Sequence, residues 1–510
     1  MIDLRPEEML MRAHAAMRDG SFSYAWEILQ ETQPSADKFL LQAHAGNRLK
    51  SADEVITLLN NARVHGYFNN PRDAALAAAL LSCQYTKADF KAMAQRELDS
   101  VLGTDSFQND DEVAYYTAFA HHLLDDHIAA KTIVQTRTPA QPAMNAQYKL
   151  LRGFIHAALD EFAYQAALSR DALILLLEEC PGENALTASA MHALAMVSRE
   201  IASSGSLELL EHATTRITWT PDLAFEHFHT LRAIAWNYAL HGGHHIKAQV
   251  MLFHAQREAR TPGQEMLAHL DRALVAHFTH EESNARTHLT LADHFYAAID
   301  WHTAHEEEPV LPLIAADIYA DYDHNKAQYY LKEGYARKDS INKMSALAKG
   351  RRIDALHYAA ISRVERKTEP KRALRYAQDA YTLFERMGYR WRAARLALDI
   401  HSDTGAHKWL AKAAELLSFY SENSLVMELR ERQAVASLTP HQRKVLELLQ
   451  GGLDVQEIAQ LMGITTNTVK KHKTKLFRTF GVKNVVALLR KNPRSTTSGL
   501  PPGNARALSA

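Results

Sequence analysis

Cysteine is nearly absent from this 510-residue chain. The two present, Cys83 and Cys180, are far apart in sequence. They make neither a disulfide framework nor a metal-ligand pair, which fits a reducing cytoplasm. Glycine and proline are also scarce, at 20 and 15, and fall between periodic segments. Long apolar runs are missing: the longest, Ala74–Cys83, is far short of a membrane span. The start, MIDLRPEEMLMR, is charged and has no apolar centre, so no signal peptide is expected. Cytoplasmic location without membrane contact follows as an expectation. Phosphate-loop chemistry is missing too. No Gly-rich string ends in Gly-Lys-Ser or Gly-Lys-Thr, and Lys349-Gly350 and Gly334-Tyr335 stand alone in helical sequence. No Gly-x-Ser-x-Gly elbow occurs, and no αβ-alternating receiver region. These absences predict neither an enzyme nor a cofactor.

Net charge is near zero at −1, but its distribution is uneven. Residues 437–494 hold eleven Lys and Arg against three Asp and Glu, and the tail adds Arg506. Residues 1–436 are therefore acidic by about ten. A basic module on an acidic body places nucleic-acid contact in the module. The body then calls for a different partner.

The basic module reads as four short helices with start and stop signals at its junctions. Thr439 caps the first, Pro440 sits in its first turn, and Gln442 closes a capping box. Gly451 and Gly452 end it. Asp454 and Glu457 cap the second helix, and Gly463 turns the chain. Thr465 caps the third helix, which runs to Gly481; Asn484 caps the fourth and Pro493 stops it. On the third helix Val469, Leu476 and Phe480 share an apolar face. Lys470, Lys471, Thr474 and Arg478 point elsewhere, with Asn467 and Lys475 alongside. Lysine can donate to guanine edges, and threonine can touch a base edge or a thymine methyl. Helix, tight turn and basic helix is the helix-turn-helix arrangement, so double-stranded DNA is the expected partner.

This stretch resembles the LuxR-type output domain of bacterial transcription regulators. The residues that carry the resemblance are Leu438-Thr439-Pro440, Val445-Leu446, Gly452, Glu457-Ile458-Ala459, Leu461, Gly463-Ile464, Thr468-Val469-Lys470, His472, Leu476 and Gly481-Val482-Lys483-Asn484. The resemblance implies a third helix in the major groove, a fourth helix at a dimer contact, and homodimers on paired half-sites. It also implies RNA polymerase as a partner if the protein is an activator. By position Lys470, Lys471 and Thr474 would face bases, and Thr465, Lys473, Lys475 and Arg478 would meet phosphates. The full DNA-binding set is Thr465, Asn467, Thr468, Lys470, Lys471, Lys473, Thr474, Lys475 and Arg478. Two departures stand out. Gln442 replaces the family's usual Glu, and Val485 and Val486 replace the usual polar start of the fourth helix.

Residues 1–436 are rich in Ala, Leu, Glu, Gln, Lys and Arg, which predicts helix almost throughout. An i, i+4, i+7 stripe recurs: Val55/Leu59/Ala62, Ala248/Leu252/Ala255, Ala285/Leu289/Ala292, Ala327/Leu331/Gly334 and Ala373/Ala377/Ala380. Small residues at this spacing let helices approach closely, and the last four stripes start 37, 42 and 46 residues apart, about one helix hairpin. The pattern resembles tetratricopeptide repeats. Residues 372–397 look like the repeats before the output domain of MalT-like regulators. The expected fold is all-α: an α-solenoid of tetratricopeptide-like hairpins and a C-terminal four-helix LuxR-type helix-turn-helix domain. Its expected parts are a repeat region at 1–423 that senses a small-molecule, peptide or protein effector, a helical connector at 424–436, the DNA-binding domain at 437–491 and a disordered tail at 492–510. Seams are expected at 136–142, 181–182, 241–243 and 306–312.

Two other readings compete. One is a helical-repeat interaction scaffold with a secondary DNA-binding module. The other is an enzyme, supported only by the clusters His121/His122/Asp125/Asp126/His127 and His241/His244/His245. Lacking HExxH or CxxC, these read as solvated or capping histidines, with no metal expected. Aromatics such as Trp236, Tyr238, Phe253, Tyr329, Tyr330, Tyr381, Phe384, Tyr389 and Trp391 are expected mostly in the core.

Overall fold

A computed structural model describes residues 5–201, 205–241, 244–279, 281–301, 310–337, 351–420 and 423–491. The expected tail at 492–510, the seams at 242–243 and 306–309, Lys349-Gly350 and Pro493 lie outside the described residues. Among those described there is helix and no strand. Among the described residues the body has eleven helix pairs, from Pro6–Asp19 with Phe22–Glu31 to Arg390–Thr404 with His407–Leu417, with the short elements Asp105–Asn109 and Pro221–Leu223 between pairs. Seams at 136–141 and 180–183 fall between pairs, where the helices Pro142–Ala158 and Asn184–Ile201 begin.

The small-residue stripes hold the pairs together. Each lies on the second helix of its pair and is buried, with Leu331 only partly covered. The stripe Ala94/Leu98/Val101, fully buried on Lys91–Leu102, belongs with them and was not singled out from sequence. Gly334 shows why small residues are needed. A Cβ there would lie 2.4 Å from Leu313 Cδ2 on the paired helix. Six of the nine aromatics named from sequence are core: Trp236, Tyr330, Tyr381, Phe384, Tyr389 and Trp391. Phe253 and Tyr329 are half exposed.

The stack coils back on itself. Glu200, 1% exposed, receives both arms of Arg392, at 2.9 and 3.2 Å. Arg390 donates to the Ile201 carbonyl at 3.0 Å, and Trp236 stacks on Trp391 with centroids 5.5 Å apart. Near the N-terminus Asp222 accepts from Ser23 N and Oγ at 2.7 and 2.8 Å, Thr220 donates to the Gly20 carbonyl, and Arg48 pairs with Glu226. Each of these contacts joins residues about one superhelical turn, or four to five pairs, apart.

His121 and His122 are packed, which corrects the expectation of solvated or capping histidines for that pair, whereas His244 is exposed at the start of His245–Glu258, as expected. His121 and His122 are 7% and 4% exposed. His121 Nδ1 lies 3.2 Å from Asp126, whose carboxylate also caps His127–Gln135. Among the described residues no group of three or more His, Cys, Asp or Glu could hold a metal ion. Burial holds the imidazoles of His122, His269 and His288 down at about 4.

Two outcomes follow. Gly334→Ala should cost roughly 1–3 kcal/mol through overpacking against Leu313, read as a lower denaturation midpoint. An unchanged midpoint would mean that the pair can separate freely. These three histidines bind protons more readily when unfolded, because their folded pKa values lie below the ordinary one. Their stabilisation is complete above pH ~6.5 and is lost as pH falls toward 4. The melting temperature should drop across that window, and His122→Phe should flatten the drop.

Candidate nucleic-acid interface

The C-terminal helices are cut to length by their caps. Thr439 Oγ1 accepts from Gln442 N at 3.3 Å while Gln442 Oε1 accepts from Thr439 N at 3.0 Å. The box therefore forms with glutamine in place of the usual glutamate. Asp454 accepts from the backbone of Gln456 and Glu457 at 2.7 and 2.9 Å, and Glu457 reaches back to Asp454 N at 2.7 Å. Thr465 accepts from Thr468 N at 3.2 Å, and Asn484 from Ala487 N at 2.8 Å. The helices run Pro440–Gln450, Val455–Met462, Thr466–Phe480 and Val485–Lys491. Gly463 turns the chain at φ +63°, the left-handed conformation that glycine adopts cheaply. At the first helix end only Gly452 takes it, at φ +84°; Gly451 stays right-handed at −69°.

Ten buried apolar residues make a core of its own, including Leu438, Val445, Leu446, Ile458, Val469, Leu476, Phe480 and Leu488. Val469, Leu476 and Phe480 hold Thr466–Phe480 against the two preceding helices. Its opposite side is open. Asn467, Lys470, Lys471, Thr474, Lys475, Arg478 and Thr479 line one shallow surface concavity. Six of these seven were expected from sequence; Thr479 was missed because it carries no charge, although it follows Lys475 by one turn. Thr474 Oγ1 donates to the Lys470 carbonyl at 3.0 Å, which leaves its oxygen free to accept but not to donate.

Three expected residues sit elsewhere. Thr465 and Thr468 share a hydroxyl contact of 2.9 Å at the helix start. Lys473 falls in the row of Val469, Leu476 and Phe480, three or four residues from its neighbours in that row. It is half-buried, with its ammonium 5.8 Å from the Phe477 ring centre. The two valines of the fourth helix part ways: Val485 packs on the core, and Val486 is 61% exposed.

Residues 436–491 match the family of bacterial regulatory proteins, luxR family. The segment is a LuxR-type helix-turn-helix domain. No curated relative matches the sequence of the chain. Solved structures similar to it include the human IFIT1 dimer with m7Gppp-AAAA, at 16% identity over 83% of this chain and 98% of that chain, TM-score 0.42. The APC/C hetero-tetramer Cut9-Hcn1 aligns at 10% identity over 95% and 96%, TM-score 0.34. Yeast Tom70 aligns at 11% identity over 85% and 97%, TM-score 0.29.

The LuxR-type domain joins the body through one helix, Ser424–Ala436. No helix among the described residues is long and apolar enough to cross a membrane. Inside the body, Arg232, Trp236, Asp271, Asp317, Trp391 and Arg392 line a cavity of about 40 Å³, room for roughly two or three waters. Its charges are matched: Arg232 pairs with Asp271 at 2.6 Å.

Removing a cap should shorten the domain's second helix. Asp454→Ala should cost ~1 kcal/mol or more, since this carboxylate takes two backbone donors. Faster amide exchange at Gln456 and Glu457 would report it, with no change in the body.

Proposed function

We propose that this chain is a DNA-binding transcription regulator whose helical body receives a ligand or protein signal. The observation that carries it is the exposed row of Asn467, Lys470, Lys471, Thr474, Lys475 and Arg478, opposite a packed apolar row on the same helix. A duplex major groove admits one such helix, with lysines and threonine at base edges and flanking cations on phosphates. Lys470, Lys471 and Thr474 would read bases, with Asn467 beside them. Lys475 and Arg478 would meet phosphates, and Thr465, Thr468 and Lys473 would serve the margins of the contact. The body at 1–423 would be the input region, 424–436 the connector and 437–491 the output domain. Val486, on the exposed side of the fourth helix, would serve a homodimer on paired half-sites. An activator of this design would also touch RNA polymerase.

Binding-site selection on the purified chain tests this. Lys471→Ala should relax preference at one base position by about 1–3 kcal/mol of discrimination. Arg478→Ala should weaken binding to all sequences alike and lower the salt slope by about one. A chain that fails to hold duplex DNA at low salt would overturn the reading and leave the interaction scaffold.

A further inference from the structure

The connector belongs to two cores at once. Its first half buries Leu425, Val426 and Leu429 in the main body core; in its second half Ala434 and Val435 pack on the core of the LuxR-type domain, and Ala436 packs back on the body core. It also packs directly on the recognition helix, Thr466–Phe480. Its start is pinned by Asn423, 3% exposed, which accepts from Val426 N at 2.9 Å and donates to the Leu240 carbonyl. Midway along, Arg432 pairs with Glu428 and donates to the Leu398 carbonyl and to Ser402 Oγ. Leu398 and Ser402 lie on the helix Arg390–Thr404. The other end of that helix carries Arg390, Trp391 and Arg392, the residues that close the body on Ile201, Trp236 and Glu200. A single helix therefore touches the seam between superhelical turns at one end and the connector at the other.

We propose that the helix Arg390–Thr404 carries the state of the seam to the recognition helix, and that Arg432 is the positioning residue that makes the connection. The proposal rests on the DNA-binding reading for its output, not for its mechanics. Closing the seam fixes the direction of Arg390–Thr404. The Leu398 carbonyl and Ser402 then fix Arg432, and Arg432 fixes the half of the connector that meets the LuxR-type domain. A partner that loosens the contact between turns would thereby reorient the recognition helices of a bound pair without touching them. Half-site spacing makes DNA affinity sensitive to that orientation.

Two measurements on the full chain test this: amide exchange along 424–436 and affinity for a selected duplex. Arg432→Ala should speed exchange in the second half of the connector and change affinity about fivefold or more, with the DNA-facing residues intact. Arg392→Ala should do the same from the far end of its helix, and should add little in the Arg432→Ala background. Where Arg392→Ala does not fold, Arg392→Lys, which keeps the charge but gives up the two-armed grip, serves in its place. Arg63→Ala is the control: it breaks a two-armed pair with Glu97 in the first superhelical turn and should leave both readouts at the wild-type level. Additive effects of the two variants would overturn the proposal. So would an Arg392 variant that melts earlier yet leaves connector exchange unchanged, or an Arg63→Ala effect of equal size. A wild-type chain that ignores DNA would end the DNA reading alone, since the exchange pattern still decides the linkage.

Discussion

The contact between superhelical turns is the constraint on which the rest of the molecule depends. In an open solenoid each repeat touches only its neighbours, and stability is a sum of local contributions. Here Arg392 and Glu200 meet across 192 positions, and Glu200 is 1% exposed. A buried carboxylate stripped of its partner would cost several kcal/mol, so the seam stays closed or opens as a unit. The first turn repeats the device with Ser23, Thr220, Asp222 and the pair Arg48–Glu226. Gly20 adds a close approach there. It sits at φ +84°, and a Cβ on it would fall 2.5 Å from Leu223. These contacts set the pitch of the coil, and the pitch decides where the last helix pair stands.

The output domain was legible almost completely in the sequence, and the reason is distance along the chain. A cap, a capping box or a glycine turn involves residues at most three or four apart, so its physics is local. The apolar row Val469/Leu476/Phe480 is equally local. Two details needed the structure. Gly451 resembles Gly452 as a sequence signal, but only one left-handed residue is required. Lys473 has the charge of a phosphate contact and the register of a core position. Charge carried the sequence reading, and the structure adds that the side chain is half-buried beside Phe477.

The body was legible in its pairs and opaque in its closure. Small residues at i, i+4, i+7 mark a face that must touch a neighbour. Glu200 and Arg392 look like ordinary helix charges until the turns are stacked. The same blindness affected the charge reading. The acid of residues 1–436 is concentrated in 1–350, with 45 Asp and Glu against 30 Lys and Arg, whereas 351–436 is basic, with 16 against 11. Several of those later arginines neutralise earlier acids across pairs or turns: Arg351 with Asp160, Arg363 and Arg395 with Asp317, Arg392 with Glu200. Part of the charge segregation is thus the electrostatics of one end of the body gripping the other.

The connector shows why the two regions act as one. Leu425, Val426 and Leu429 cluster on one side of its helix, while Ala434 and Val435 lie round the other side. No single apolar stripe results, so sequence periodicity identifies a helix but not its partners. An amphipathic stripe would have tied the helix to one core and left a hinge at the other. Leu425, Val426 and Leu429, with Ala436 further along, tie the helix to the body core, while Ala434 and Val435 on the opposed side tie its second half to the domain core. Ser437 and Leu438 then lead straight into the cap at Thr439, and Leu438 is itself buried in the domain core. A rigid helix shared in this way transmits rotation, since neither half can turn without moving apolar surface out of its core. Freeing the domain from the body would expose Leu425, Val426 and Leu429, at about 1.5–3 kcal/mol for each large side chain uncovered. That cost exceeds the thermal energy several-fold. The shared burial therefore favours one orientation of the helix Thr466–Phe480 relative to the body.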